Sequence, residues 1–378
     1  MRRPPPDLER REIGRSVGAA PGPTLVAVAG VHGNEPAGVE AARRIFARLS
    51  RPDVRLRGEL VVFAGNLASL RLGVRYQAKD LNRLWTEARV AEVRSLPPGG
   101  RDPEDREQLE LTEAIELALS RARGPVHLAD LHTTSAAGIP FILFGDTLAQ
   151  RELVSAFPIP IILGLEDQVD GVLTSYWTRR GCVTFCCEGG QHDDPRAADS
   201  LAAVLWLAID KAGLLETPLP EVAAAAALLE KQRTDLPRVL EVISRRAVSP
   251  ADAFRMEPGF RNIDHARKDQ LLARDQAGEI RAPADGFVIM PLYQGQGGDG
   301  YFWGRRPGAA RLKISGLLRK LDAGRLLTAL PGVRRDPLAT NRLLVSERAA
   351  RLIPVELFQL LGYRRLRPAG KAMTAERQ

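Results

Sequence analysis

Leu25-Val26-Ala27-Val28-Ala29-Gly30-Val31-His32-Gly33-Asn34-Glu35 reads as a buried strand that runs out into a sharp turn. Leu25 to Ala29 is apolar, uncharged and rich in Val and Ala, which suits a strand covered on both faces. Gly30 and Gly33 let the chain turn without a Cβ penalty. After Pro36 a helical pattern runs from Ala37 to about Leu49. A strand feeding a helix belongs to an α/β sheet, and open sheets of that kind put their ligands at the carboxyl ends of strands. His32 and Glu35 stand at such an end. An imidazole and a carboxylate three residues apart there can grip one metal ion from the same side.

A catalytic zinc site needs three protein ligands and one open position. Val126-His127-Leu128-Ala129-Asp130-Leu131-His132-Thr133-Thr134 is a second apolar strand with a polar exit, and His132 stands at that exit. His32, Glu35 and His132 make a His2Glu set, the donor set of carboxypeptidase A and thermolysin. A lone histidine at a strand end is usually only hydrogen-bonded; three donors at strand exits favour a metal. Asp130 reads as a partner behind His132 or as a substrate-binding group. His127 reads as a packed or hydrogen-bonded histidine.

Gly30-Val31-His32-Gly33-Asn34-Glu35, Asp80-Leu81-Asn82-Arg83, Asp130-Leu131-His132-Thr133-Thr134 and Glu188-Gly189-Gly190 occur in that order. Together they resemble the succinylglutamate desuccinylase/aspartoacylase family, a branch of the zinc-carboxypeptidase-like hydrolases. The motif-bearing likeness covers about residues 24 to 192 and extends more loosely over 236 to 306. It implies one Zn2+ per chain on His32, Glu35 and His132. Glu188 matches the general base, which takes a proton from the zinc-bound water and hands it to the leaving amine. Asn82 and Arg83 match the pair that holds the substrate carboxylate, and Arg75, seven residues before Asn82, matches the arginine that polarises the scissile carbonyl. A guanidinium is always charged and offers carboxylate a bidentate fork. Tyr301 is a candidate phenol donor to the tetrahedral intermediate and Tyr293 its competitor; core packing explains either equally well.

The rest of the chain supports an α/β fold with a mainly parallel or mixed central sheet and helices on both faces. Gly58 to Asn66, Phe141 to Phe144, Pro160 to Leu163 and Gly181 to Gly190 read as further strands, with helices at about Pro103 to Arg123 and Pro195 to Leu215. Residues 1–23 are Arg- and Pro-rich with no apolar core, so they read as a flexible arm and not a signal peptide. The catalytic domain is expected over 24–215 and a linker with an Ala-rich helix over 216–235. A small β-rich domain follows over 236–306, which the resemblance places above the active site. Its Gly-rich loop at 295–300 has no strand-to-helix surround and is no nucleotide fingerprint. Residues 307–378 read as a helical extension, through amphipathic patterns at Arg311 to Leu321 and Pro354 to Leu361, with a disordered last ten residues.

With 378 residues and 44% hydrophobic content, the chain can bury a sizeable core. Its formal charge of +8 raises nucleic acid or anionic membrane as partners. The arginines are scattered, however, without an aromatic-plus-basic module, so neither partner is expected. No run approaches the length of a membrane span. The 3 cysteines lie within six residues of one strand, an arrangement that suits small buried hydrophobes in a reducing cytoplasm better than a disulfide framework. A homo-oligomer is left open.

The sequence therefore points to a zinc-dependent hydrolase of a small anionic N-acyl amino acid. A metallocarboxypeptidase trimming a peptide or cell-wall fragment would use the same residues. A binding protein that keeps the fold without turnover is the reading from another class. In some members of the resembling family an arginine ten residues before the glutamate holds a second substrate carboxylate. Here that position is Thr178, with Arg179 and Arg180 beside it, so neither succinylglutamate nor acetylaspartate is implied as the substrate.

Overall fold

The computed structural model describes residues 8–233, 235–337, 339–369 and 372–377. Its first part runs β1 (Glu12–Val17), β2 (Ala20–Ala29), α1 (Ala37–Leu49), β3 (Arg57–Ala64), α2 (Leu67–Leu72), α3 (Glu87–Ser95), α4 (Pro103–Arg121) and β4 (Val126–Thr134). It continues through β5 (Phe141–Leu143), α5 (Leu148–Val154), β6 (Ile161–Leu163), α6 (Leu165–Gln168), α7 (Leu173–Thr178), β7 (Val183–Gln191), α8 (Arg196–Lys211) and α9 (Pro220–Gln232). Then come β8 (Val239–Ala247), β9 (Arg255–Met256), β10 (Asp264–Ala266), β11 (Leu271–Asp275), β12 (Gly278–Arg281), β13 (Gly286–Ile289) and β14 (Asp299–Arg305). The chain closes with α10 (Ala309–Lys320), β15 (Val333–Asp336), β16 (Ala339–Ser346), α11 (Glu347–Leu352), α12 (Val355–Leu360), β17 (Tyr363–Ala369) and β18 (Ala372–Arg377).

The central sheet has the order β1-β3-β2-β4-β7-β5-β6-β8-β14-β13-β10. Strands β3, β2, β4 and β7 are parallel neighbours at its centre. Along β2 the side chains alternate between two cores. Leu25, Ala27 and Ala29 face the cluster that includes α1 and α8, while Val26 and Val28 face the one that includes α4 and α7. Both faces are covered, as the uncharged Val/Ala run requires.

Three expectations about the chain's outer parts are corrected. Part of the supposed N-terminal arm is a strand: β1 pairs antiparallel with β3, and Arg11 donates to the carbonyls of Ala64 and Gly65 at 3.0 and 2.8 Å. An open sheet edge offers a row of unpaired backbone groups, and these residues cover it. The β-rich 236–306 region is continuous with the central sheet. Strand β8 pairs in parallel with β6, Ile161 opposite Val239, so the central sheet runs straight into it; a separate three-stranded sheet, β12-β11-β9, lies beyond.

The 307–378 region is mixed, not helical. Its helices α10, α11 and α12 accompany a four-stranded antiparallel sheet, β15-β16-β18-β17, with its own core around Val333, Leu343, Val345, Phe358 and Tyr363. Residues 372–377, expected to be disordered, pair on both sides within that sheet. Among the described residues no helix is long and apolar enough to cross a membrane.

Candidate functional site

Register brings the motifs together. Ala29 lies opposite Leu131 across β2 and β4, and His132 lies opposite Glu188 across β4 and β7. The exits of three parallel strands therefore open at one place on the sheet edge. Beyond β2, Gly30 takes φ +72°, and a Cβ on Gly33 would sit 2.1 Å from the backbone carbonyl carbon of Ser69. Only glycine fits this turn, which folds Glu35 back so that its N–H donates to the His32 carbonyl at 3.1 Å.

The donor atoms converge. His32 Nδ1 is 2.8 Å from Glu35 Oε1, and His132 Nδ1 is 3.0 Å from Glu35 Oε2. Single donor atoms from His32, Glu35 and His132 all lie within 4.8 Å of one another, and all three residues are buried. Each imidazole is held from behind. His32 Nε2 meets Asp80 Oδ1 at 3.1 Å, and His132 Nε2 meets Asp130 Oδ2 at 2.9 Å. A carboxylate on the far nitrogen fixes the tautomer and leaves Nδ1 facing the would-be ion.

The electrostatics follow from this packing. Burial alone would raise Glu35, but the two facing imidazoles hold it well below the usual carboxylate range. Burial would likewise lower His132, yet the Asp130 and Glu35 carboxylates outweigh it and hold the imidazole well above its ordinary value. Such a strongly acidic nest around two imidazoles suits a cation. Asp130, His132 and Cys186 form a second cluster. It suits a metal less, because burial pushes the Cys186 thiol well up and keeps it protonated.

Glu188 sits in the same cavity as His32, Glu35 and His132, and its Oε2 is buried without a hydrogen-bond partner. Burial, opposed by His132 and reinforced by Glu35, pushes its pKa up to about 8. Arg75 reaches over the site, with Nη1 3.4 Å from Glu35 Oε1, Nη2 3.1 Å from Asp80 Oδ2, and Nε unpartnered.

What places Arg75 and Asp80 is a carboxylate outside the sequence motifs. Glu104, fully buried near the start of α4, accepts the backbone N–H groups of Gln77, Ala78 and Lys79 at 2.8, 2.9 and 3.2 Å. A carboxylate binding three amides pins the whole loop. Asp80 opens the Asp80-Leu81-Asn82-Arg83 motif as a carboxylate two residues before Asn82, whose N–H it accepts at 2.9 Å.

Asn82 and Arg83 line an inner cavity beside His32 and His132, together with Glu188 and Arg75. Asn82 Oδ1 accepts the Leu173 N–H at 2.8 Å, and its Nδ2 lies 3.3 Å from His132 Nε2. Arg83 is ion-paired with Asp299 of β14 and donates to the Asn82 carbonyl at 2.8 Å.

Tyr301 is not brought into the site. On β14 Phe302 faces the inner cavity, whereas Tyr301 points to the other side and packs with Met256, Leu272 and Trp303. Tyr293 lines a larger outer cavity of about 520 Å3, but its hydroxyl is engaged, donating to the Glu257 carbonyl at 2.7 Å. His192, just past Glu188 in the sequence, forms a chain with Thr133 and Gln294 at the boundary between the cavities. His192 lies 2.7 Å from Thr133 Oγ1 and 3.2 Å from Gln294 Oε1. Neither Arg179 nor Arg180 lines these cavities; Arg180 pairs with Glu87 and stacks on Tyr176 at 3.7 Å.

Residues 21–205 match the family described as the succinylglutamate desuccinylase/aspartoacylase catalytic domain. This stretch of the chain belongs to that family. A succinylglutamate desuccinylase of Burkholderia pseudomallei is 34% identical over 225 residues, 55% of this chain and 62% of that protein. That of Burkholderia lata is 28% identical over 224 residues, again 55% of this chain and 62% of the relative. The match thus spans less than two thirds of these curated relatives. Among solved structures, the ectoine utilization protein EutE (DoeB) from Ruegeria pomeroyi superposes with a TM-score of 0.56 at 22% identity, covering 76% of this chain and 87% of that one. The succinylglutamate desuccinylase from Chromobacterium violaceum gives 0.51 at 20%, covering 77% and 86%. At these identities the solved structures share the fold of the desuccinylase/aspartoacylase domain, and its chemistry has to be argued from the site.

Proposed function

We propose that the protein is a zinc-dependent deacylase that hydrolyses the amide bond of an N-acyl amino acid, releasing a carboxylate and an amine. One observation carries this reading: two imidazole Nδ1 atoms and a carboxylate converge on one point, beside the unpartnered Oε2 of Glu188. Two histidines and a glutamate fit Zn2+ with a position left open. When bound, zinc would supply Lewis-acid polarisation of the scissile carbonyl and would lower the pKa of the attacking water to about 7.

The chain's own groups do the remaining work. Asp80 and Asp130 orient the imidazoles. Glu188 takes the proton of the attacking water on its open oxygen and returns it to the leaving amine. Burial raises this carboxyl group above the ordinary carboxylate range, toward that of a group able both to accept a proton and to return it. Arg75, with a spare N–H, donates to the oxyanion as it develops. Asn82 and Arg83 hold the carboxylate of the amino acid in register. The substrate is a small anionic molecule, and the reading needs no nucleic-acid or membrane partner.

The outer cavity of about 520 Å3 favours one second reading, a metallocarboxypeptidase. That space exceeds what a short acyl group fills and would admit a peptide or cell-wall fragment. The test is amine release from N-acyl amino acids and short peptides, with zinc-loaded and chelator-stripped protein side by side. Zinc-dependent release from N-acyl amino acids is the expected result. Release from peptides alone would establish the carboxypeptidase, and no release from either set would end both readings.

A further inference from the structure

The inner cavity shows which amino acid the site takes. Resting on the deacylase reading for the identity of the bound group, we infer that the amino acid released carries a neutral, apolar side chain and not the acidic one of aspartate or glutamate. The cavity holds about 80 Å3 between Leu143, Leu165, Val169, Val172 and Phe302. An aliphatic chain of a few carbons buries its surface there favourably.

A second carboxylate finds no cation of its own. Among the described residues, Arg75 and Arg83 are the arginines lining this cavity. Arg75 faces Glu35 and Asp80 at the metal ligands. Arg83 shares Asp299 with Arg245, and the charge this leaves on it is committed to the carboxylate that every amino acid has. Thr178, where an arginine would receive a second carboxylate, turns inward to Thr184 Oγ1 at 2.7 Å. The wall itself is acidic. Glu166 is buried, accepting from Thr174 Oγ1 at 2.7 Å and Ser175 Oγ at 2.6 Å. Asp299 is already paired with Arg83 and with Arg245, which is not among the residues lining the cavity, so among the described residues the unpaired acid of this wall is Glu166. An acidic side chain would therefore be desolvated beside Glu166 with no cation lining the cavity left over for it.

The experiment compares one acyl group on valine, leucine, methionine, aspartate and glutamate, using the zinc-loaded full chain. The apolar substrates should exceed the acidic ones by about 100-fold or more in kcat/KM, the penalty of an uncompensated buried charge. Equal or better turnover of the acidic pair overturns the inference. Asp299→Asn releases Arg83 from its partner, so the preference should shrink; an unchanged ratio in a folded variant also counts against it. Calorimetric binding of the free amino acids to the unmodified protein separates this inference from the deacylase reading. If no N-acyl amino acid is cleaved but leucine and valine bind better than aspartate and glutamate, the side-chain preference stands and the deacylase falls. If the acidic amino acids bind as well or better, or none binds, the preference falls whatever the turnover.

Discussion

Arg319 of α10 buries its guanidinium against Asp146, Nη2 lying 2.9 Å from Oδ2, and so joins the C-terminal unit to the catalytic sheet. Both side chains are almost wholly buried, and Arg364 of β17 reaches the same carboxylate at 3.3 Å while holding Asp167 of α6 at 3.0 Å. Asp146 keeps Arg151 and Arg364 when Arg319 is removed, so its charge is not stranded and the loss is that of the charge-assisted contacts. Arg319→Ala should therefore cost about 1.5–3 kcal/mol of unfolding free energy, read by chemical denaturation. A change under about 0.5 kcal/mol would mean that the contact contributes nothing to stability.

The same carboxylate sets an acid limit. Burial would raise Asp146, but Arg319, Arg151 and Arg364 outweigh it and hold the group below the usual value. A depressed carboxylate stabilises the fold above its unfolded pKa of about 3.9 and loses that stabilisation as pH falls through the folded value. Thermal scans from pH 6 downward should show Tm falling more steeply below about pH 4 in the unmodified protein than in Asp146→Asn, which has no charge there to lose. Parallel acid limbs would exclude Asp146 as the cause.

Metal content tests the donor set. Purified protein should hold about one zinc per chain, and His32→Ala or His132→Ala should lose it with the fold intact by circular dichroism. Asp80→Asn and Asp130→Asn keep the ligands but loosen their orientation. Each should weaken zinc binding by about 10- to 100-fold in a chelator competition. Full zinc occupancy after loss of both histidines would place the metal elsewhere.

Glu188→Gln is nearly isosteric and cannot accept a proton. Zinc should stay bound while kcat falls by about 10²- to 10⁴-fold, with KM changing much less. Near-normal turnover across the pH range would assign the base to another group.

The free acid and the neutral amide of one N-acyl amino acid should differ through Arg83. With the amide, Asp299 still pairs Arg83, so the loss is that of one charge-assisted contact, about 1.5–3 kcal/mol. Arg83→Ala should slow the acid to the level of the amide, while Arg75→Ala should slow both alike. Equal rates for acid and amide in the unmodified enzyme would move the substrate to something without a carboxylate at that end.

Much of the site was legible because it depends on local order. The Val/Ala run of β2, the glycines of its turn and the helical pattern of α1 are short-range signals, and they place His32 and Glu35 within one turn. His132 and Glu188 follow from the same strand-exit logic, and parallel pairing puts them side by side. Asp130 behind His132 was likewise open to inspection two residues away.

What the sequence left open depends on which face of an element looks inward and on partners far along the chain. Alternation along β14 shows that Tyr301 and Phe302 point opposite ways, but not which of them faces the site; packing of β14 between β8 and β13 settles it for Phe302. The C-terminal strands are short and laced with arginine, so their period was masked, and they became strands by pairing with one another around a shared core. Glu104 looked like any acid in a first helical turn until the loop of Gln77 to Lys79 closed on it. Asp299, 216 residues from Arg83, decides how much of that arginine's charge remains for a substrate. Periodicity and motif spacing are properties of neighbours in the chain. Charge balance inside a cavity belongs to groups that only folding brings together.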